Sequence, residues 1–285
     1  MKKIKCAVCG CENNNIVLIS QDYRFQTTSK RFELVKCQRC GLIFIDPQLA
    51  KDEVAKFYPK NFYEEPSQID KVITKISFYP RQRKILNYAK QGRILDLGCG
   101  KGEFLSNFKM KGWVPFGVDV SEVACELARE KVGKNIYNCQ LKECFFPSDY
   151  FDVIVLSHVL EHLLNPIDDL VEIRRILKLN GILMLSVPDI GSLQFRVSSQ
   201  SWIHLDIPRH LYHYSFSSIK FLLERSNFEI VRLTHPFFDF PLDFYKSLKQ
   251  LNGSFRYIWL LATVYKIFPQ FRGTMEIIAQ KTNGA

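Results

Sequence analysis

The feature that most limits the possible folds is an alternation of short apolar strands and helices that begins at residue 93. The strand Arg93–Leu97 is followed by a turn with three glycines, Gly98–Gly102, and then by a helical stretch, Glu103–Lys111. This alternation at this spacing predicts an α/β fold with a doubly wound, mostly parallel sheet. Further predicted strands are Val114–Val118, Ile136–Leu141, Phe151–Leu156 and Gly181–Val187, and the predicted helices between them are Ser121–Lys131 and Ile167–Leu177.

The ligand of such a sheet lies at the carboxyl ends of the strands, where this sequence places glycines and acids. The glycines let the backbone approach a ligand closely, and the helix start offers free N–H groups. Asp119 ends the next strand, 21 residues after Gly98. There it can accept hydrogen bonds from both hydroxyls of a ribose, or it serves as a turn or N-cap residue. Asp96 would repel a pyrophosphate, but it suits the α-ammonium of an amino acid.

These residues resemble the class I S-adenosylmethionine-dependent methyltransferases. Leu95–Gly102 matches their first motif and Asp119 their ribose-binding acid, while Phe151–Leu164 is similar to the fourth-strand signature of the small-molecule branch. The resemblance covers residues 80–235 and the last strand. It implies a seven-stranded methyltransferase sheet in which Thr274–Gln280 lies antiparallel between strand five and strand six, Phe228–Thr234.

The resemblance also implies S-adenosylmethionine as cofactor, and it implies which residues contact it. The adenine amino group would meet Glu143 or the backbone of Gln140–Leu141. The implied cofactor-binding residues are Asp96, Gly98, Cys99, Gly100, Gly102, Asp119, Val120, Leu141, Ser157 and His158.

Two pairs of cysteines, each with two residues between the thiols and a glycine behind, stand near the N-terminus. They are Cys6 with Cys9 and Cys37 with Cys40. Four thiolates suit a tetrahedral Zn²⁺, and a closed four-cysteine site has no open position for catalysis. We predict a structural zinc ribbon with strands at 16–19 and 32–35; a redox dithiol or an iron–sulfur cluster are the competing interpretations. A CxxCG ribbon ahead of this module occurs in methyltransferases that are linked to sugar, polysaccharide and secondary metabolism.

Candidate catalytic groups follow strands four and five. His158 comes directly after strand four, and Glu161 with His162 one turn later could be catalytic or could hold the loop. In the segment 201–215, which would shape the acceptor site, we predict His210 as base and Arg209 as the group that binds an anionic part of the acceptor. The alternative for His210 is a cap or a hydrogen bond within the loop.

The domain organisation predicted from these motifs has three parts. Residues 1–50 form the zinc ribbon, 51–90 a helical linker with the first helices of the methyltransferase domain, and 91–285 the S-adenosylmethionine-binding domain. Within this domain 190–216 is the acceptor loop. The aromatic-rich stretch 237–272 is a helical lid or a patch for peripheral membrane contact.

Charge and hydropathy narrow the partners. The chain of 285 residues has a net charge of +10, which suits any anionic partner or a solvated basic face. The apolar run 257–265 has nine residues, against the ~20 that a membrane span needs, so we expect no transmembrane span and a cytoplasmic location.

We therefore predict a methyltransferase that acts on a small molecule or saccharide, most simply on oxygen. One alternative is an RNA methyltransferase whose basic ribbon binds phosphates. Another is a non-catalytic cofactor-binding partner in a biosynthetic complex.

Overall fold

The computed structural model describes residues 5–58, 78–236, 247 and 272–282. It contains two sheets, whose strands are numbered here in chain order. The strands are β1 (Asn14–Gln21), β2 (Arg31–Cys37), β3 (Ile43–Asp46), β4 (Arg93–Leu97), β5 (Val114–Asp119), β6 (Ile136–Asn138), β7 (Phe151–Ser157), β8 (Leu177–Pro188), β9 (Tyr212–His213), β10 (Phe228–Thr234) and β11 (Thr274–Lys281).

The larger sheet has seven strands in the order β10-β11-β8-β7-β4-β5-β6. The strands from β8 to β6 run parallel to one another, and β11 lies antiparallel between β8 and β10. Its central strands β4, β7 and β8 are nearly continuous runs of buried residues, which is typical of a parallel sheet covered on both faces. This confirms the predicted seven-stranded sheet, including the antiparallel last strand.

Helices connect the strands of this sheet. Ser121 and Ser215 cap two of them, because each serine side chain accepts a hydrogen bond from the backbone N–H three residues later. Residues 78–86 are also helical and precede β4. The labelled helices are α1 (Lys51–Ala55), α2 (Glu103–Lys109), α3 (Glu122–Val132), α4 (Pro166–Ile176), α5 (Leu193–Ser198) and α6 (Phe216–Arg225).

The smaller sheet has four antiparallel strands in the order β1-β2-β3-β9. β1 and β2 contain the two apolar runs predicted as ribbon strands. β9 comes from the predicted acceptor loop, more than 160 residues later in the chain, and pairs Tyr212 with Phe44 and His213 with Ile43. The ribbon sheet is therefore completed by the methyltransferase part of the chain.

One buried apolar cluster joins the two sheets. It includes Leu34 and Phe44 of the ribbon, Tyr212 of β9 and Leu156 and Leu185 of the large sheet. A buried cluster of this kind normally marks one core, so the ribbon packs as part of the domain. The predicted domain boundaries stay predictions.

Several predictions fall on parts of the chain outside the described residues. The predicted lid at 237–272 is described only at residues 247 and 272, and the predicted linker lacks 59–77. Within the described residues, no helix has the length and hydropathy that crossing a membrane requires.

Candidate active site

The turn after β4 is shaped by three glycines with left-handed backbone angles. The φ angles of Gly98, Gly100 and Gly102 are +73°, +51° and +73°. A Cβ at Gly98 would lie 2.3 Å from Val159 Cγ2, so this position has no room for a side chain. Above Gly100 no heavy atom lies within 4 Å of a Cβ position. The turn is thus closed on one side and open at Gly100, as a backbone cradle for a ligand requires.

Asp119 ties this turn to the end of β5. Its Oδ2 accepts a hydrogen bond from the Gly100 N–H at 2.9 Å, and its Oδ1 accepts one from the Ser121 N–H at 2.9 Å. The carboxylate therefore already makes the turn contacts that sequence analysis weighed as an alternative. It also lies at the strand end where a ribose would be bound.

Asp96 lies beneath the turn in β4 and is buried. Burial and the neighbouring charge of Asp119 raise its pKa well above the usual range, against the opposing effect of Arg81. A positively charged ligand group beside Asp96 would stabilise the ionised carboxylate and lower its pKa. The open glycine turn, Asp119 and Asp96 together fit a ligand that has an amino-acid part with an ammonium group and a ribose, as S-adenosylmethionine has.

Arg81 belongs to the same strand edge, although sequence analysis missed it. Its Nε donates to Glu276 Oε1 at 2.7 Å and its Nη1 to Ser157 Oγ at 3.0 Å. It thereby joins the helical residues 78–86 to β11 and β7. No motif marks this arginine in the sequence, because its partners lie 76 and 195 residues away.

The other predicted cofactor residues follow the ends of neighbouring strands. Cys99 lies buried in the glycine turn, Val120 is exposed after β5, and Leu141 is buried after β6. Cys139 and Cys144 form a disulfide beside Leu141, which sequence analysis did not predict. Because β7, β4, β5 and β6 are adjacent in the sheet, these residues share one edge.

A cluster of histidines and one glutamate lies directly beyond β7. Glu161 is 1% exposed, and its Oε1 lies 3.4 Å from Nδ1 of His158 and 3.9 Å from Nε2 of His210. The rings of His162 and His210 meet edge to face, with centroids 4.6 Å apart. The structure thus brings together His158 and His210, which sequence analysis placed in separate segments, with the Glu161–His162 pair.

Hydrogen bonds fix the tautomers of the two inner histidines. Nδ1 of His210 lies 2.8 Å from the carbonyl oxygen of His204, and Nδ1 of His162 lies 2.9 Å from that of Arg209. Since a carbonyl only accepts, each Nδ1 carries the proton. Burial, followed by the charges of His162 and His213, lowers the pKa of His210 well below its usual value. His210 is therefore neutral at pH 7, with a lone pair on Nε2.

Arg209 is fully buried and enclosed by two carboxylates. Its Nη2 lies 2.6 Å from Asp22 Oδ1 and 2.8 Å from Asp206 Oδ1, while its Nη1 donates to the carbonyl of Phe57. A guanidinium held in this way does not face an acceptor. The structure gives Arg209 partners within the fold instead of the anionic acceptor group that sequence analysis predicted. It links the ribbon, through Asp22, to the loop that carries His210.

The loop around Arg209 turns its large aromatic groups inward. Trp202, Tyr212 and Tyr214 are each at most 2% exposed, so they pack in the core and do not form open walls for an acceptor. His158 and His204 are partly exposed, and their rings lie nearly parallel with centroids 6.1 Å apart. Solvent therefore reaches the cluster at least in part at His158, whose side chain is 33% exposed.

The four cysteines of the ribbon converge on one point. Cys6 Sγ lies 3.6 Å from Cys40 Sγ, Cys9 Sγ lies 3.4 Å from Cys37 Sγ, and all four sulfurs lie within 4.8 Å of one another. Sulfurs bound to a tetrahedral Zn²⁺ at ~2.3 Å lie about 3.8 Å apart. The spacing and the soft donor set fit zinc. Cys11 stays outside this group.

The fold and the strand edge together define a class of protein. A doubly wound seven-stranded sheet with an antiparallel strand next to its edge, a glycine turn after β4 and an acid after β5 is the architecture of S-adenosylmethionine-dependent methyltransferases. The family model described as a methyltransferase domain matches residues 48–233, and the chain belongs to this family.

Curated relatives and solved structures agree with this family. The ubiquinone biosynthesis O-methyltransferase of Roseobacter denitrificans is 32% identical over 141 residues, which are 47% of this chain and 56% of that protein. An uncharacterized methyltransferase of Schizosaccharomyces pombe is 32% identical over 125 residues, 38% of this chain and 44% of that protein. The chain spans about half the length of the curated relatives it matches.

Two solved structures show the same fold. A SAM-dependent methyltransferase from Archaeoglobus fulgidus is 23% identical, with a TM-score of 0.53 over 73% of this chain and 94% of that one. The 1,6-didemethyltoxoflavin-N1-methyltransferase of Burkholderia thailandensis is 16% identical, with a TM-score of 0.54 over 87% of this chain and 98% of that one. The predicted methyltransferase family and fold are confirmed.

Proposed function

We propose that this protein transfers the methyl group of S-adenosylmethionine to a hydroxyl oxygen of a small molecule or saccharide. The observation that carries the proposal is the histidine–glutamate cluster beside the glycine turn, where Val159 packs against Gly98. A hydroxyl must lose its proton before or during methylation, whereas an amine needs only to arrive neutral. A cluster of proton-accepting groups at this edge therefore favours oxygen.

The names of several relatives also favour this proposal. Several of them are named ubiquinone biosynthesis O-methyltransferases, which favours methylation of oxygen on a small molecule. The Burkholderia structure is named an N1-methyltransferase, so the fold itself is compatible with nitrogen as well. The choice of oxygen in this protein rests on the cluster.

For the cofactor we propose the residues that the strand edge brings together. S-adenosylmethionine, when bound, supplies a methyl group on a sulfonium that is already activated. Asp96 would face its ammonium group and Asp119 its ribose hydroxyls. At Gly100, where the space above the turn is open, the backbone itself would contact the cofactor. To the predicted set we add Arg81 as a positioning residue, because its Nη1 donates to Oγ of Ser157 at the same strand edge. The remaining proposed contacts are Gly98, Cys99, Gly102, Val120, Leu141, Ser157 and His158.

We also propose that the ribbon binds Zn²⁺ through Cys6, Cys9, Cys37 and Cys40 and supports the acceptor loop. β3 pairs with β9, and Asp22 holds Arg209 next to His210. The zinc would then act on the reaction only by fixing the position of this loop.

A methyl-uptake assay tests the function. Zinc-loaded protein is incubated with labelled S-adenosylmethionine and a panel of phenols, nucleotide sugars, oligosaccharides, amines and RNA, and products are identified by mass spectrometry. We expect methylation of a hydroxyl on a small molecule or saccharide. The proposed acceptor is wrong if label enters RNA with a steep dependence on salt, or if only amines are methylated.

A His158→Ala variant belongs in the same assay. We propose His158 as the base in place of the predicted His210, because His158 is partly exposed whereas His210 is buried. We expect cofactor affinity to change little, since Asp96 and Asp119 remain, and the rate of methyl transfer to fall about 100-fold, as the loss of a general base commonly does. If cofactor binds but no acceptor in the panel is methylated by the wild type, the non-catalytic alternative gains support.

The cytoplasmic location of the protein stays a prediction.

A further inference from the structure

The cluster beyond β7 has the donor set of a metal site. One ligand atom each from Glu161, His162 and His210 lie within 4.8 Å of one another, well away in sequence from the four cysteines of the ribbon. Glu161 and His162 come from the short helical turn 160–162, and His210 comes from the loop before β9. Two separate segments therefore converge on one point.

The Glu161 carboxylate is the strongest sign that something is bound there. Both of its oxygens are buried, and among the described residues neither has a hydrogen-bond partner. Most buried polar atoms in proteins are paired, and an unpaired buried carboxylate costs several kcal/mol. Nδ1 of His158 lies 3.4 Å and Nε2 of His210 lies 3.9 Å from Glu161 Oε1, and both distances are too long for a hydrogen bond. A cation between the carboxylate and His210 would give Glu161 the partner that it lacks among the described residues.

The histidines are oriented as metal ligands are. Both donate their Nδ1 proton to a backbone carbonyl, at 2.8 Å for His210 and 2.9 Å for His162, and the Tyr58 hydroxyl lies 3.2 Å from Nδ1 of His162. In each histidine the hydrogen bond to the carbonyl fixes the tautomer and leaves the lone pair of Nε2 available to a metal ion. Histidines that bind metals usually make such a hydrogen bond with their other ring nitrogen.

Another acid in reach is already occupied. Asp206 Oδ2 lies 3.8 Å from Nε2 of His210, but it accepts a hydrogen bond from Arg24, and Asp206 Oδ1 accepts from Arg209. Its charge is thus balanced by two arginines. Among the described residues Glu161 has no arginine or lysine partner, so it is the carboxylate that a cation would neutralise.

We propose that Glu161, His162 and His210 bind a divalent transition-metal ion that holds the acceptor hydroxyl; this rests on the proposed function. Two imidazoles and one carboxylate form a three-ligand set that leaves room for a further ligand, as catalytic metal sites do. A mixed nitrogen and oxygen set suits ions such as Zn²⁺ and Mn²⁺. His210 is then a metal ligand, and the role of base falls to His158.

The reaction balances with this assignment. The acceptor oxygen binds the ion, which lowers the pKa of its hydroxyl, and the proton passes to His158 and on to solvent. The oxygen then forms a bond to the methyl carbon, the carbon–sulfur bond breaks, and its electron pair stays on sulfur. The products are the methyl ether, S-adenosylhomocysteine and one proton.

Binding of Mn²⁺ to full-length protein tests the site without acceptor or cofactor. Mn²⁺ prefers oxygen and nitrogen donors, so it reports on this cluster and leaves the four-thiolate site with its zinc. The loss of the free-ion signal in electron paramagnetic resonance is followed in wild type, Glu161→Gln, His162→Gln and a matched control, Glu224→Gln. Glu224 is exposed on α6, next to Lys220.

We expect one Mn²⁺ per chain in the wild type and in Glu224→Gln, and a loss of affinity of more than about 100-fold in Glu161→Gln and His162→Gln. The proposal is overturned if zinc-loaded wild type binds no Mn²⁺, or if Glu161→Gln binds it like the control. S-adenosylhomocysteine binding, measured on the same samples, separates the two proposals: normal cofactor binding without Mn²⁺ binding refutes only the metal.

Discussion

At the scale of single residues, the cofactor edge places two acids close together. Asp96 is buried in β4, and Asp119 at the end of β5 raises its pKa further. In the absence of a positive ligand this arrangement disfavours the ionised carboxylate. Under the proposed function, the cationic ligand would offset the stability that the free protein loses at this position.

The change Asp96→Asn therefore raises the stability of the free protein at pH 7, by about 1–3 kcal/mol. The folded-state pKa of Asp96 lies above the unfolded value of about 3.9, so wild-type stability falls as pH rises from the unfolded value toward the folded one. The advantage of the variant should grow in that interval. Urea unfolding of both proteins between pH 5 and 8 measures it.

The same variant should bind S-adenosylmethionine at least tenfold more weakly, because a charge-assisted contact is lost. Equal stability of the variant and the wild type at every pH would mean that burial of Asp96 does not destabilise the free protein. Unchanged affinity would mean that it does not face the ammonium group.

At the scale of elements, the ribbon and the acceptor loop depend on each other. β9 completes the ribbon sheet, and Asp22 and Arg209 form a buried ion pair between the two. Burial alone would raise the pKa of Asp22, but hydrogen bonds from Arg209 and Thr27 outweigh it and hold the pKa well below the usual range. The pair is therefore charged at neutral pH.

Removing Asp22 takes away one of the two carboxylates that compensate the buried Arg209 guanidinium, and the backbone N–H groups of Phe25 and Thr27 lose their acceptor. We expect Asp22→Ala to lower the free energy of unfolding by about 3–5 kcal/mol. The matched change Asp168→Ala, at an exposed acid 3.4 Å from Lys142, should cost less than about 1 kcal/mol. Chemical denaturation measures both, and equal effects would contradict the structural role of Arg209.

Removal of zinc should reduce the protection of amides in the acceptor loop from exchange. The Ile45 N–H donates to the carbonyl of Leu211, across the junction of β3 and β9. Without metal we expect amide exchange to accelerate at Ile45 and at Tyr212–His213, while the amides of β4 and β7 keep their protection. Hydrogen exchange followed by mass spectrometry checks this. No change at β9 would mean that the ribbon does not support the loop.

How far the sequence predicted these elements depends on the range of the contacts. The strands of the large sheet, the glycine turn and the cysteine pairs were predictable because their signals are local: hydrophobic runs, glycine spacing and thiol spacing. β9 has two residues and no hydrophobic pattern of its own, so its pairing with β3 could not be predicted from the sequence. Arg209 was predicted to bind an acceptor because its partner Asp22 lies 187 residues away.

At the scale of the whole molecule, one strand edge brings together the glycine turn and the histidine–glutamate cluster. The glycine turn after β4 and the cluster after β7 are neighbours because those two strands are paired, Leu97 opposite Leu156. β9, which pairs with the ribbon strand β3, contacts the helical turn that carries Glu161 and His162. The protein is thus a methyltransferase fold with a second, cysteine-rich sheet, which is completed by β9 directly after the loop that bears His210.

Titration calorimetry with S-adenosylhomocysteine tests this account most directly. We predict micromolar binding to zinc-loaded wild type, and a loss of about 100-fold in Asp119→Ala, since two charge-assisted hydrogen bonds to the ribose disappear. Asp168→Asn should bind like the wild type, and circular dichroism confirms that each variant is folded. Absence of binding to folded, zinc-loaded wild type, or equal affinity in Asp119→Ala, would contradict the assignment of the cofactor site.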